Sequence, residues 1–192
     1  MAGIAALRAE DEASTLAKVH TVIVIHAEPA PGSKELLSEK FTPVQLAAAL
    51  LAETNRVRVA HHRRPLKPLA PLAQAADDQA AFLAVEGESS HYSPLPGQHT
   101  AADRVRQHGL WDASIGENVL AMTLPASETP PTCEAIATEL VEQWMNSPGH
   151  RENLLNRDFT HFGGSVRFAK GIGATERSYA VQVFAKPSAD LK

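Results

Sequence analysis

The chain has 192 residues, of which 44% are apolar and 5% aromatic, and it carries a formal net charge of -4 at pH 7. This size and composition fit one globular domain with some additional chain. A net negative charge gives no basic field for phosphate groups, so nucleic-acid binding is excluded as a function class.

Membrane spans and disulfides are also not expected. No apolar run reaches the length of a membrane-spanning helix. The longest β-branched cluster, residues 22–25, is too short for the core of a signal peptide, and acidic residues occupy positions 10–12, where a basic leader would stand. No signal peptide is therefore visible. The single cysteine, Cys133, excludes an intrachain disulfide and any cysteine-based metal cluster.

The first 40 residues carry no sustained hydrophobic period. They are rich in alanine and acidic side chains and then contain Pro29, Pro31 and Gly32, which is typical of a tail or linker. We expect one domain over residues 41–187, preceded by this tail and followed by a C-terminal tail over residues 188–192.

The domain is predicted to begin with two helices. Thr42 can cap the first one, Pro43 suits its first position and Gln45 can bond back to the cap, so a helix should run from here to about His61. A stripe of Leu and Ala residues, three or four apart, predicts a second helix over residues 69–83.

The rest of the domain alternates loops, helices and a hairpin. Residues 87–100 have the Gly, Ser and Pro content of an ordered loop, and a short helix is expected over 102–108. Another helix should begin after Thr132 and end at Ser147-Pro148. Two strand-like segments close the chain, 162–168 and 179–184. Helices first and an antiparallel pair last predict an α+β fold.

One histidine stands where the chain leaves one helix and begins another. Ser147 can cap the second helix and Pro148 can open it, so His150 lies near the positive end of a helix dipole, which disfavours imidazolium. A neutral imidazole there can accept a proton, hold a metal or bind a ligand. The alternative is a structural histidine hydrogen-bonded to a carbonyl group.

Two other polar positions are candidates. Glu117 and Asn118 interrupt an apolar run, and acidic residues are seldom buried without a partner. Glu117 is either a carboxylate that orients a histidine or a turn residue that caps backbone amides. His91 lies in the predicted loop and is either part of a site or simply solvated.

Taken in order, several segments resemble one known family. The resemblance is to the CAP superfamily (cysteine-rich secretory proteins, antigen 5 and pathogenesis-related proteins), within it to the bacterial branch, and it covers residues 44–186. The segments that carry it are LLAETNRVRVAHHRRPL, APLAQAADDQAAFLA, SSHYSP, DRVRQHG, IGENVL, ELVEQWMNSPGHRENLLNRDFTHFGGSV and YAVQVFAK.

This resemblance implies an α-β-α sandwich with a small, mainly antiparallel sheet flanked by helices. It also implies a cleft lined by two histidines and two glutamates, to which His91, Glu117 and His150 correspond. Ser147 stands where many relatives carry the second glutamate. Asn118, Ser147 and Asn153 are expected to support the cleft.

A second departure is Thr54, which precedes Asn55 where many relatives carry a histidine. Two imidazoles and one carboxylate can make a weak zinc site with open positions, for which His91 and His150 are the candidate ligands. The loss of the second carboxylate removes negative charge, so no cofactor is required and zinc is only an option.

Three functions remain open at this point. The first is a non-enzymatic binding module, extracellular or in the cell envelope as the family implies, that holds a small molecule, a lipid or a peptide. The second is a metal-assisted or general-base hydrolase that uses His91, Glu117 and His150. The third is a purely structural role for these polar residues. The sequence does not define the oligomeric state.

Overall fold

The computed structural model describes residues 37–124, 131–170 and 175–188. The expected tails, residues 1–40 and 188–192, lie outside this description except at their inner ends. Residues Leu37–Lys40 form a short helix, α1, and the side chain of Leu37 is buried. The Leu37 backbone N–H donates a 2.6 Å hydrogen bond to the Glu176 carboxylate, which ties α1 to the last strand.

Helix α2 spans Pro43–Ala60 and begins with the capping pattern that the sequence predicts. The Thr42 hydroxyl accepts a hydrogen bond from the Gln45 backbone N–H, and the Gln45 side chain accepts one from the Thr42 backbone N–H. These reciprocal bonds satisfy amides that no helical carbonyl can reach. The remaining helices are α3 (Ala70–Glu86), α4 (Ala101–Gln107), α5 (Cys133–Asn146) and α6 (Pro148–Leu155).

Four strands form one sheet in the order β1-β3-β4-β2. The predicted hairpin is confirmed, because β3 and β4 pair antiparallel with Phe162 opposite Phe184. Strand β1 pairs parallel with β3, whereas β2 pairs antiparallel with β4, so the sheet is mainly antiparallel. The strands are β1 (Lys67–Pro68), β2 (Ala113–Leu124), β3 (His161–Lys170) and β4 (Glu176–Pro187).

Strand β2 is the longest element that the sequence does not predict. Glu117 lies in its middle, opposite Val183, so the turn interpretation of this glutamate is wrong. The middle of this strand consists of residues with low strand propensity, Gly116, Glu117 and Asn118. The sequence pattern therefore does not indicate a strand here. Pairing with β4 along the whole of β2 overrides these local preferences.

The two faces of the sheet carry separate cores. Side chains alternate along β4: Phe184 faces the core shared with α2, α5 and α6, whereas Val181 and Val183 face the core shared with α3 and α4. This arrangement confirms the predicted α+β, α-β-α sandwich. Trp144 of α5 is completely buried in the first of these cores.

Helix α3 lies directly on β3. A Cβ atom added at Gly163 would overlap the Leu72 carbonyl carbon and the Ala73 backbone nitrogen. Only glycine permits this approach. Within the described residues, none of the helices combines the length and the apolar composition that crossing a membrane requires.

Candidate functional site

The candidate site is built around the edge strand β2. Because β2 pairs with β4 alone among the described strands, its other edge is left for side chains from the loops and helices around it. Glu117 is registered with Val183 and therefore points to the α3/α4 face, whereas Asn118 is registered with Gln182 and points to the α2/α6 face. One dipeptide thus reaches both sides of the sheet.

On the first side, Glu117 holds His91. The Nδ1 atom of His91 lies 2.8 Å from Glu117 Oε1, so the carboxylate fixes the ring and makes Nδ1 the protonated nitrogen. The side chain of Glu117 is 5% exposed and that of His91 is 62% exposed. A buried carboxylate therefore orients a histidine whose other ring nitrogen is available to a ligand.

Arg104 of α4 completes this array and was not predicted from the sequence. Its Nη2 atom lies 2.5 Å from Glu117 Oε2, and its side chain is completely buried. Its Nη1 atom donates to the Gln98 carbonyl at 2.9 Å. Arginine is seldom fully buried unless it is paired. No local pattern in the sequence marks it, because α4 also carries Arg106, and the fold buries Arg104 while it leaves Arg106 partly exposed.

The loop that carries His91 is held before the histidine by a contact with α3 and after it by a contact within the loop itself. The Gln79 side chain of α3 donates to the Ser90 carbonyl at 2.6 Å. Beyond His91, the Tyr92 ring stacks on His99 with a centroid distance of 5.5 Å. These contacts hold the backbone of the loop, and the bond to Glu117 then sets the direction of the His91 ring.

On the second side, Asn118 holds the segment that carries His150. The Asn118 amide donates to the His150 carbonyl at 3.0 Å and to Gln182 Oε1 at 3.1 Å, and it accepts from the Asn153 amide at 3.0 Å. Gln182 in turn donates to the Thr54 hydroxyl at 2.8 Å. Thr54 and Asn118 are completely buried, so they support the segment that carries His150 from the interior of the protein.

Asn153 also covers the edge of β2. Its amide donates to the Glu117 backbone carbonyl at 3.1 Å, a group on the edge that the described strands leave unpaired. A Cβ atom at Gly116 would lie 3.2 Å from Asn153 Oδ1 and 2.7 Å from the Phe159 ring, so the neighbouring glycine lets α6 approach this closely.

Arg58 of α2 fixes the other end of α6. Its guanidinium donates to the carbonyls of Leu154, Asn156 and Phe159 at 2.7, 3.1 and 3.3 Å, and it is completely buried. Burial, aided by the charge of Arg63, lowers the pKa of Arg58 to about 10, at which it keeps its charge near neutral pH. The helix that begins near His150 is therefore anchored at its C-terminus.

The two imidazoles titrate in opposite directions. The hydrogen bond to Glu117 raises the pKa of His91, against the effects of burial and of the Arg104 charge. Burial lowers the pKa of His150, and the positive charge of His91 lowers it further. The charge of His91 thus acts on His150 across the edge of β2, although the supports of the two residues lie on opposite faces of the sheet.

Two serines, the predicted supporting residue Ser147 and also Ser90, lie close to the histidines in the sequence. Ser147 precedes α6, but its side chain makes no capping hydrogen bond. The Ser90 hydroxyl accepts from the Tyr92 backbone N–H at 3.0 Å and so belongs to a turn. Among the described hydrogen bonds, neither serine has the contact with a histidine that a hydrolytic nucleophile requires.

The donor set does not fit a resident zinc ion. In the part of the chain that the structure describes, no three His, Cys, Asp or Glu side chains converge on one point. Both Glu117 oxygens are engaged, by His91 and by the buried Arg104. His91 and His150 alone would be left as ligands, fewer than the three protein ligands of a catalytic zinc site.

A separate groove lies between α2 and α5. It has a volume of about 550 Å³, and alanines of α2 form much of its wall together with Cys133 of α5. Burial raises the pKa of the Cys133 thiol, so this thiol is a weaker nucleophile than a free one. The rest of its lining is polar or charged, with Gln45, Glu53, Arg56, Glu134 and Thr138.

A family model described as CAP, cysteine-rich secretory protein family, matches residues 51–184. The chain is 28% identical over 185 residues to the "Uncharacterized membrane protein YlbC" of Bacillus subtilis (strain 168), which covers 95% of this chain and 47% of that protein. It is 31% identical over 110 residues to "Uncharacterized protein YkwD" of the same organism, covering 57% and 38%. The chain thus spans less than half the length of these curated relatives.

Solved structures show the same fold. An extracellular protein containing an SCP domain from Bacillus anthracis str. Ames aligns with a TM-score of 0.59 at 24% identity, over 80% of this chain and 45% of that one. An outer surface protein from Borrelia burgdorferi aligns with a TM-score of 0.56 at 18% identity, over 77% and 97%. The motifs around His91, Glu117 and His150 fall inside the matched region, and the chain belongs to the cysteine-rich secretory protein (CAP) family.

Proposed function

We propose that this domain is a non-enzymatic binding module, extracellular or associated with the cell envelope, whose polar cleft holds a small molecule, a lipid or a peptide. The observation that carries the proposal is the His91 imidazole, which is 62% exposed while the Glu117 carboxylate that orients it is 5% exposed. An exposed polar group on a buried, hydrogen-bonded support is prepared for a ligand before the ligand arrives.

The second support is the absence of a nucleophile beside the histidines. Among the described hydrogen bonds, neither Ser90 nor Ser147 contacts His91 or His150 through its hydroxyl. The site offers hydrogen-bonding nitrogens at fixed positions, which is sufficient for binding and incomplete for covalent catalysis. We take residues 41–187 as the module.

The settings of the relatives support the proposed location. The names of matched proteins place them in extracellular, outer-surface and membrane settings. We extend this setting to the present domain, and we expect its ligand to be a component of the cell envelope or of the surrounding medium.

One observation favours a hydrolase as the alternative. His91 has a raised pKa and His150 a lowered one, and two titratable groups with separated pKa values can serve as acid and base. In this alternative His150 would activate a water molecule as general base, and Glu117 would orient His91.

The test uses isotope-labelled protein and a panel of polar small molecules, fatty acids and short peptides. Binding at the cleft should shift the amide signals of His91, Asn118 and His150, and the His91→Ala/His150→Ala double variant should lose these shifts while it keeps its fold by circular dichroism. The matched control is His61→Ala/His62→Ala, at the end of α2. Ligand shifts that persist in the first double variant would reject the proposal.

The same proteins separate binding from catalysis. Incubation with p-nitrophenyl acetate and p-nitrophenyl butyrate should give equal background hydrolysis in the wild type and in both double variants. Turnover that disappears only in the His91→Ala/His150→Ala variant would establish the hydrolase alternative instead.

A further inference from the structure

We propose that Arg104 and Glu117 are positioning residues that set the tautomer of His91, so that the neutral ring presents Nε2 as a hydrogen-bond acceptor and the ligand of the cleft carries a hydroxyl or N–H donor. This inference rests on the proposed binding function, because it assigns the ligand class of the same site. It starts from the contacts that join Arg104 to Glu117 and Glu117 to His91.

The first step concerns the two oxygens of Glu117. Its Oε2 atom accepts from Arg104 Nη2 at 2.5 Å, and its Oε1 atom lies 2.8 Å from His91 Nδ1. A carboxylate paired with a guanidinium offers acceptors only. The hydrogen bond to His91 therefore needs a proton on Nδ1, and a neutral imidazole has no second proton for Nε2.

The second step concerns the position of the Arg104 guanidinium. The Arg104 side chain is completely buried, and its Nη1 atom donates to the Gln98 carbonyl at 2.9 Å while Nη2 holds Glu117. The guanidinium is thus held by the loop as well as by β2. Because an arginine side chain can only donate, the atom of residue 117 that faces Arg104 has to be an acceptor.

The third step concerns the Nε2 atom of His91. The His91 side chain is 62% exposed, and among the described hydrogen bonds its ring is engaged through Nδ1 alone. In the neutral ring fixed by Glu117, Nε2 can accept from a hydroxyl or N–H group but cannot donate to a carbonyl or ether oxygen. Two buried residues therefore determine which polar group a ligand has to bring to His91.

The variant Glu117→Gln should reverse the tautomer. Arg104 still requires an acceptor, so the new amide oxygen should face Arg104 and the amide nitrogen should face His91 Nδ1. An amide NH₂ group only donates, so Nδ1 has to accept and the ring proton moves to Nε2. A substitution that merely loosened the loop would give a mixture of tautomers and not this reversal.

The first experiment records the ring nitrogen signals of His91 by NMR at a pH well above its titration midpoint, with a chelator present to keep metal ions off the ring. These signals distinguish a protonated from an unprotonated nitrogen. We expect the proton on Nδ1 in the wild type and on Nε2 in Glu117→Gln. A proton on Nε2 in the wild type, or an unreversed tautomer in Glu117→Gln, overturns the inference.

The role of Arg104 is tested in the Glu117→Gln background. Arg104→Met/Glu117→Gln should lose the reversal, because the amide oxygen no longer has a donor to face. The matched control is Arg106→Met/Glu117→Gln, which should keep it, because Arg106 is partly exposed and paired with Asp103. A complete reversal in Arg104→Met/Glu117→Gln would show that Arg104 does not set the tautomer.

The second experiment compares two probes under the same conditions, N-methylacetamide, which has one N–H donor, and N,N-dimethylacetamide, which has none. The wild type should bind the first at least about threefold more tightly, which is the size of one net hydrogen bond. Glu117→Gln should lose this preference, because its Nε2–H group can donate to the carbonyl of either probe.

Each outcome of the probe comparison has a separate meaning. Equal binding of the two probes by the wild type would overturn the ligand class and leave the binding function standing. Binding of neither probe would count against the binding function and against the ligand class with it. The ring nitrogen signals would still decide whether Arg104 and Glu117 set the tautomer of His91.

If the unpaired guanidinium prevents Glu117→Gln from folding, the wild type and Arg104→Met/Glu117→Gln keep the inference testable, since the double variant buries no charge at this pair. Its amide has no fixed orientation, so we expect both tautomers of His91. A ring with Nδ1 protonated as completely as in the wild type would overturn the inference.

Discussion

Arg104 Nη2 of α4 and Glu117 Oε2 of the edge strand β2 lie 2.5 Å apart, and both side chains are buried. This pair joins the α4 face of the domain to the strand that carries the candidate site. Its integrity therefore concerns both the stability and the function of the protein.

Breaking this pair should be costly. Arg104→Met leaves the Glu117 carboxylate buried without its main counter-charge, and the loss of one partner of a buried ion pair lowers the free energy of unfolding by about 3–5 kcal/mol. Urea denaturation followed by circular dichroism gives this value. Arg106→Met should change the midpoint little, because its partner Asp103 is on the surface. Equal midpoints for the two variants would contradict the prediction.

The pH dependence of the two histidines gives a second prediction. Their imidazole signals, followed by NMR through a pH titration, should have midpoints above the reference value for His91 and below it for His150, as their shifted pKa values require. In His91→Gln the His150 midpoint should rise, because the neighbouring positive charge is gone. An unchanged His150 midpoint in His91→Gln would contradict the electrostatic coupling of the two rings.

The shifted pKa values of the two histidines also make the stability of the fold depend on pH. A raised pKa means that His91 stabilises the fold fully below the reference pKa of about 6.5 and that this contribution is lost as the pH rises through its own pKa in the folded state. His150 acts in the opposite sense and in a lower pH range: its lowered pKa costs stability as the pH falls from the reference value through its own pKa in the folded state. In His91→Gln, the gain of stability that the wild type shows as the pH falls towards about 6.5 should therefore be absent.

Asn118 provides a third prediction. Asn118→Ala removes donors to Gln182 Oε1 and to the His150 carbonyl, and a buried polar group left without a partner costs about 1–3 kcal/mol. The His150 signals should also shift, because its backbone loses its support. Ser114→Ala, at an exposed position of the same strand, is the control. A loss no larger than that of the control would show that Asn118 does not hold the site.

A fourth prediction compares two glycines. Gly163→Ala should destabilise the protein severely, because the new Cβ would overlap backbone atoms of α3 that cannot move alone. Gly149→Ala, inside α6 with open space around it, should stabilise the protein by about 0.5–1 kcal/mol. Thermal melts of both variants measure this contrast. Similar melting temperatures for the two would refute the close packing of α3 on β3.

Local signals account for most of the helices that the sequence predicts. The exchange of hydrogen bonds between Thr42 and Gln45 depends on neighbours three residues apart, so it can be read without a tertiary structure. The β3–β4 hairpin is similarly local, because its strands are adjacent in the chain. Elements of this kind follow from propensity and period alone.

The rest required contacts between distant residues. Strand β2 is stabilised by β4, more than 50 residues away, and Glu117 lies within it despite a poor strand propensity. Arg104 and Arg58 look like surface residues in the sequence, and their burial depends on a carboxylate and on carbonyls brought to them by the fold. The resemblance to the family indicated His91, Glu117 and His150. It did not indicate Arg104, which pairs with Glu117.

The four-way anchoring of Arg58 has a mechanical consequence. Because its guanidinium holds carbonyls of Arg64, Leu154, Asn156 and Phe159, the end of α2, the end of α6 and the start of β3 form one stiff block. His150 lies on the helix that this block anchors, whereas His91 lies on a loop that side chains of α3, β2 and α4 hold at Ser90, His91 and Gln98. The side of the site that carries His150 is thus fixed through backbone carbonyls, whereas the side that carries His91 is fixed through side chains, which a single substitution can remove.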